Sequence, residues 1–333
     1  MMLDALGQFG DAALLQRFVG GVMTQDYDGT ENAALIAHAR LLAPDSAGDL
    51  FAKLVTAHMT WTPGSCVDLF LRLLRHNLPK KEWSSACMNL ASAIVDGLAT
   101  VEGDGERESD RLHWRQKAKA LPLTATLVAD LFQALGARDL GVACEKAVAH
   151  IVARPAVFVP GTVIVPALTL LRPRQAHDPA NDLAFLKLWK HAGEFLLDRS
   201  QHSPESPKDW RQEVKLGCRC EDCRALEAFA RDTAAQVGRF RLRQDRRQHL
   251  QDISARHDLD MTHVTERKGS PQTLICTKTR RTYQRQCDQY RADISSLSEL
   301  AKMPPRSPDA RMALTSRMTA ALKCAETWAA SDG

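Results

Sequence analysis

Thr62-Pro-Gly-Ser-Cys-Val-Asp-Leu-Phe-Leu-Arg-Leu-Leu-Arg75 aligns without gaps with Val159-Pro-Gly-Thr-Val-Ile-Val-Pro-Ala-Leu-Thr-Leu-Leu-Arg172. Both segments carry Pro-Gly followed by Ser or Thr, and both end in Leu-x-Leu-Leu-Arg. Proline suits the first turn of a helix, where its missing N–H would have no helical acceptor. The interval between the segments fits two helical hairpins of ordinary repeat length, so the recurrence predicts a helical repeat protein.

Apolar residues recur with the helical period of 3.6 throughout residues 1–199. Examples are Leu69, Leu73 and Leu74, then Leu90, Ile94 and Leu98. We therefore predict an irregular HEAT-like or TPR-like α-solenoid over residues 1–199, in a chain that is mainly α. The alternative is that one helix-start pattern occurs twice by chance in a bundle without repeats.

The polar run at 200–209 contains two prolines and marks a domain boundary. We predict a linker over 200–213 and a small α+β domain with C-terminal helices over 214–333. Its expected helices lie at 221–231 and 245–257, and two β-rich runs at 261–267 and 272–279 are expected to form one hairpin. Helical spacing then returns at 281–302 and again from Met312 to Trp328.

The segment Cys218-Arg-Cys220-Glu-Asp-Cys223 places three thiols within six residues. Zinc in structural sites takes four tetrahedral thiolate or imidazole ligands, and a Cys-x2-Cys knuckle supplies two of them at little cost in chain entropy. His249 is the nearest histidine on a following predicted helix. We therefore predict a zinc site formed by Cys218, Cys220, Cys223 and His249.

Three alternatives to this ligand set remain open. Cys276 or His257 could be the fourth ligand in place of Cys218, or the thiols could be reduced and metal-free. A redox Cys-x-x-Cys is disfavoured because no βαβ pattern surrounds it. The 11 histidines include no His-Glu-x-x-His and no His-x-Glu pattern, which favours structural over catalytic zinc. The ion is expected to supply much of the folding free energy of this domain.

Residues 239–285 contain 12 Lys and Arg against 5 Asp and Glu, whereas the whole chain has a net charge of +4. Such clusters neutralise phosphates or bind acidic proteins, and aromatic residues for base stacking are scarce. The candidate binding residues are Arg239, Arg241, Arg243, Arg246, Arg247, Lys278, Arg280 and Arg281.

The first residues contain neither a basic segment nor a long apolar run, so they do not resemble a secretory signal. No apolar run reaches the roughly 18 residues that favour a membrane span. The nine cysteines are scattered through helical patterns, which suits a reducing compartment. We therefore expect an intracellular protein, cytoplasmic or nuclear, with no membrane partner.

One group of motifs resembles a known family. They are the Cys218–Cys223 segment, Val237-Gly-Arg-Phe240, Arg247-Gln-His249 and the segment from Gly269 to Lys278. Over about residues 215–285 the chain resembles the C-terminal region of large, mostly fungal proteins with an upstream prolyl 4-hydroxylase-like domain, a 2-oxoglutarate and iron dependent oxygenase. The resemblance implies a non-catalytic appendage of such an enzyme. The chain itself has no His-x-Asp or His-x-Glu triplet of the kind that binds this iron.

The predicted function is a non-catalytic intracellular interaction module, with a protein partner on the solenoid and structural zinc in the second domain. The alternative is a nucleic-acid-binding protein that uses the arginine-rich zinc unit. A third hypothesis is an enzyme with a metal-dependent hydrolase site, and no catalytic residue is predicted for it.

Overall fold

The computed structural model describes residues 2–76, 78–79, 81–101, 123–136, 140–172, 179–306 and 308–331. It divides into one unit of Met1–Arg199 with Asp293–Gly333, and a second unit of Ser200–Ala292. The described residues are mostly helical, with one small antiparallel sheet. This confirms the prediction of a mainly α chain with a small β part.

The described part of the first unit contains short and long helices. They are α1 (Met2–Phe9), α2 (Ala12–Phe18), α3 (Asn32–Ala37), α4 (Pro44–His58), α5 (Pro63–Arg75), α6 (Ser84–Gly97), α7 (Ala125–Gly136), α8 (Gly141–Ala153), α9 (Val165–Leu171) and α10 (Pro179–Arg199). Two π-helical turns, Val19–Met23 and Pro160–Ile164, and two 3-10 turns, Ala39–Leu41 and Leu98–Thr100, lie between them.

Helices α3 to α10 pack in two rows. Contacts between alternate helices join α3, α5, α7 and α9 in one row, and α4, α6, α8 and α10 in the other. The two copies of the repeated sequence begin α5 and the segment that leads into α9, so both lie in the same row. Their common core includes Phe70, Phe132 and Leu168, which are all fully buried.

The second copy of the repeat differs from the first in its helix start. Pro63 begins α5 directly, whereas Pro160 begins a π turn that precedes α9. The difference follows from Pro166, because proline lacks a backbone N–H and its ring crowds the carbonyl four residues earlier. A wider π turn just before Pro166 accommodates both effects.

A buried polar network fixes the loop before α3 to the start of α5. The Tyr27 hydroxyl lies 2.7 Å from the Asn32 side-chain oxygen and 3.0 Å from the Ser65 carbonyl oxygen. The Asn32 amide donates to the same carbonyl and to Asp68, and the His58 ring lies 5.3 Å from the Tyr27 ring. Burial raises the pKa of Tyr27 well above its usual value, so the hydroxyl remains a donor.

The C-terminal helices belong largely to the first unit. They are α13 (Arg281–Ala301) and α14 (Pro308–Ser331), and the division between the units falls within α13. The Trp189 indole donates to the Leu300 carbonyl, and the Arg199 guanidinium donates two hydrogen bonds to the buried Asp293 carboxylate. At Gly193, a Cβ atom would lie 2.5 Å from the Met318 methyl group.

The sequence-based boundaries therefore differ from those of the structure. Residues 293–333 were expected in the second domain, but Leu297, Leu300 and Met318 are part of the core of the first unit. Residues 200–213 were expected as a linker, but the backbone of Trp210 and Gln212 bonds to Thr233 and Ala230 in the second unit. The helical spacing of apolar residues predicts that one face of a helix is buried, but it does not predict which element packs against that face.

The second unit is a three-stranded antiparallel sheet with two helices. Its elements are α11 (Glu221–Arg231), β1 (Val237–Arg241), α12 (Gln244–Arg256), β2 (Met261–Glu266) and β3 (Thr273–Lys278), with strand order β1-β3-β2. The hairpin of β2 and β3 and both helices are present as predicted, whereas β1 adds a third strand. Its core includes Leu226, Leu250, Ile253 and Leu274.

We expect Tyr27→Phe to destabilise the first unit by roughly 1–3 kcal/mol, because it leaves the buried Asn32 oxygen without its donor and removes one of the two donors to the Ser65 carbonyl. Urea unfolding, monitored by hydrogen exchange of the α5 amides, measures the change in the free energy of unfolding. The control is Ser92→Ala, which removes an exposed hydroxyl and should change that free energy by less than about 0.5 kcal/mol. Equal stability of the two variants would contradict the role assigned to the network.

Candidate metal centre

The three cysteines approach the site from one short segment. Cys218 lies in irregular chain, Cys220 is the N-cap of α11, and Cys223 is in its first turn. The Cys220 sulfur accepts a hydrogen bond from the Cys223 backbone N–H at 3.4 Å. A helix N-terminus favours negative charge, so this position stabilises thiolates.

His249 approaches from the middle of α12, which packs against α11. Its Nε2 atom lies 3.5 Å from the Cys218 sulfur, 3.6 Å from the Cys220 sulfur and 3.2 Å from the Cys223 sulfur. All four ligand atoms lie within 4.8 Å of one another. A tetrahedral zinc ion requires about 3.5 Å between nitrogen and sulfur and about 3.8 Å between two sulfurs. The four predicted residues therefore lie close together and could hold a metal ion.

The three thiols have different electrostatic environments. A hydrogen bond from the Cys220 backbone lowers the pKa of the Cys218 thiol. Burial raises the pKa of the Cys223 thiol to about 12, and its hydrogen bond with Cys220 adds to that rise. Without a cation, the buried sulfur therefore retains its proton. A bound divalent cation reverses this preference because it deprotonates the thiols that coordinate it.

The two alternative fourth ligands lie outside this cluster. Cys276 is fully buried on β3, where burial raises its pKa to about 12. His257 is the C-cap of α12, two turns beyond His249, and lines a separate cavity of about 330 Å³. Among the described residues, the cluster that could hold a metal consists of Cys218, Cys220, Cys223 and His249.

One functional contact was missed by sequence reasoning. Asp222, between two of the cysteines, is 9% exposed, and its carboxylate accepts two hydrogen bonds of 2.5 Å from the Arg246 guanidinium. Arg246 precedes His249 by three residues and so lies on the same side of α12. The sequence shows an acid inside the knuckle and an arginine one turn before the histidine, but it does not show that the two residues pair.

The eight basic residues predicted to bind a partner all have contacts within the second unit. The contacts are Arg239 with Glu266, Arg241 with the Ser270 and Pro271 carbonyls, Arg243 with Asp245, Arg246 with Asp222, Arg247 with the Leu242 carbonyl and Gln272, Lys278 with the Asp232 carbonyl, Arg280 with the Trp210 ring, and Arg281 with Asp258. A partner would have to compete with these contacts.

Two of the eight are not on an accessible surface, which corrects the prediction for them. Lys278 is 1% exposed and lies over the Phe229 ring, because it is on the same inner face of β3 as Leu274 and Cys276. Burial lowers the pKa of its ammonium group. Arg247 is 9% exposed. By contrast, Arg239 and Arg241 project from the exposed side of β1, as alternation in an extended segment predicts.

Alkylation of the metal-free, reduced chain should separate the cysteines by exposure. Cys220 and Cys324 are exposed and should react first, whereas the buried Cys66 and Cys276, each with a pKa raised to about 12, should react only after unfolding. Zinc should slow the reaction of Cys220 and leave Cys324, which lies outside the cluster, unchanged. Mass spectrometry of peptides measures each rate. Equal protection of Cys220 and Cys324 by zinc would contradict binding at the cluster.

Within the described ranges, the helices are all too short or too polar to cross a lipid bilayer. Comparisons of the chain with protein-family models, with curated proteins and with solved structures found no match. The chemistry of the centre therefore follows from the identity and geometry of its own four side chains.

Proposed function

We propose that Cys218, Cys220, Cys223 and His249 bind one structural zinc ion, which stabilises the second unit of a non-catalytic interaction module. The observation that carries this proposal is the convergence of three sulfurs and one imidazole nitrogen within 4.8 Å. Three thiolates favour a borderline-soft ion over magnesium or calcium, which prefer oxygen ligands. Zinc also takes the tetrahedral geometry that the four atoms approximate.

A structural role is supported by the number of protein ligands. Catalytic zinc sites keep one coordination position for water or substrate, whereas four protein ligands fill a tetrahedron. The ligands also join two segments that are otherwise linked by a small core, because one side of the centre is the start of α11 and the other is α12. An ion at this point stabilises the packing of the two helices against the sheet.

For the first unit we propose a helical solenoid that binds a protein partner. The two rows of helices support this architecture, because hairpins stacked side by side place alternate helices in contact. The position of both repeat copies in one row supports it further. We further propose that the chain is an appendage of an enzyme with an upstream 2-oxoglutarate-dependent oxygenase domain, which the sequence resemblance of residues 215–285 implies.

The purified chain should contain one zinc ion, and Cys220→Ser should lose it. Serine still caps a helix, so the loss of metal is separated from the loss of the cap. Zinc at a thousandfold excess over its Kd should stabilise the second unit by about 4 kcal/mol, and this gain should be absent in the variant. Native mass spectrometry and thermal unfolding measure both effects, with Cys324→Ser as the control. Full zinc content in Cys220→Ser would contradict the ligand assignment.

We expect the chain to bind nucleic acid weakly at physiological salt, because nearby carboxylates offset the charge of four of its eight candidate basic residues and two others are buried. Arg241→Glu combined with Arg243→Glu should therefore change retention on single-stranded DNA or RNA little. Binding measured between about 50 and 200 mM salt tests this expectation. Tight, salt-dependent binding that the double variant abolishes would instead favour the nucleic-acid function.

A further inference from the structure

One ion pair and three hydrogen bonds connect α11 to the two segments that carry the remaining ligands. Cys220 is the N-cap of α11 and Cys223 lies in its first turn. Cys218 lies on residues 214–219, here called the strap, and His249 lies on α12. A tetrahedral site forms only when all three segments place their ligand atoms at the distances that one ion requires. The polar contacts of the strap and of α12 with α11 therefore determine how well the site is formed before an ion arrives.

The contact with α12 is the pair of Asp222 and Arg246. Both carboxylate oxygens of Asp222 accept a hydrogen bond from the guanidinium, and the Asp222 side chain is 11% exposed. Bidentate geometry restricts orientation as well as distance. Asp222 is adjacent to Cys223, and Arg246 is one turn before His249, so the pair fixes the helix that presents the imidazole.

The contact with the strap uses Glu227 and Arg231, one and two turns beyond Cys223. The Leu216 backbone N–H donates to the Glu227 carboxylate at 3.0 Å. The Arg231 guanidinium donates twice to the Val214 carbonyl, at 3.0 and 2.7 Å, and forms a 2.8 Å ion pair with Glu227. These bonds fix the backbone two residues before Cys218.

We propose that Asp222 and Glu227 are positioning residues that hold His249 and Cys218 in place for the metal, so that α11 acts as the template of the centre. The inference rests on the proposed zinc site and adds to it the residues that set its affinity. Second-shell contacts of this kind typically account for a 10- to 100-fold difference in metal affinity. In a chain that stays folded without metal, a purely structural role would change stability and leave the affinity for zinc unaltered.

The test is the zinc affinity of the full chain, prepared metal-free under reducing conditions and competed against a chromophoric chelator. We expect Asp222→Asn and Glu227→Gln each to weaken zinc binding by about 10- to 100-fold. The control is Asp245→Asn, which breaks an exposed pair with Arg243 in the first turn of α12. Because exposed pairs contribute little, its affinity should stay within about twofold of the original chain.

Cobalt substitution provides a second readout. At saturating cobalt, both variants should give the absorption spectrum of the original chain, because positioning residues change the affinity and not the identity of the ligands. Unchanged zinc affinity in Asp222→Asn would overturn the role of Asp222, and unchanged affinity in Glu227→Gln would overturn that of Glu227. A changed cobalt spectrum would overturn the positioning role by showing a different ligand set.

Loss of a buried partner could instead unfold the metal-free variant, which circular dichroism detects. In that case Arg246→Lys decides the role of Asp222, because lysine keeps the charge and loses the bidentate geometry. Weakened zinc binding in that variant supports the proposal, and unaltered binding overturns it. If the original chain itself fails to bind zinc, the proposed zinc site is wrong, and this result is distinct from a failure of the positioning role.

Discussion

The packing of α11 against α12 is the constraint on which the second unit depends. It brings an imidazole 26 residues along the chain to within 3.2 Å of the buried sulfur of Cys223. Leu226, Leu250 and Ile253 are buried in the same core, so the apolar contact of the helices and the convergence of the ligands occur together. Binding of the proposed zinc ion would therefore favour the same arrangement as burial of apolar surface, which is typical of small domains with limited cores.

The candidate site was largely predictable from the sequence because its signals are local. Three cysteines within six residues define one side of the site, and helical spacing around Leu250 and Ile253 orients His249 toward the core. The arginines were harder to interpret. Sequence shows that they are numerous, whereas only the fold shows that Arg246 meets Asp222 and that alternation on β3 buries Lys278.

Domain boundaries were the least predictable feature, for a physical reason. An amphipathic helix such as α14 shows in its sequence that one face will be buried, but any apolar surface of suitable shape can cover that face. Here the partner is α10, where Gly193 leaves room for Met318 and the Trp189 indole reaches the Leu300 carbonyl. Which helices pack together depends on the shapes of their surfaces, and the period of apolar residues in the sequence carries no information about those shapes.

The two rows of helices in the first unit have a consequence for how mutations act. In the proposed solenoid a helix depends on its immediate neighbours, and stability is close to a sum of nearest-neighbour terms. A substitution in α4 is then felt by α6 far more than by α10. Substitutions can therefore accumulate in each helix, because only the adjacent helices need compensating changes. Such proteins can lose recognisable sequence similarity while they retain their architecture.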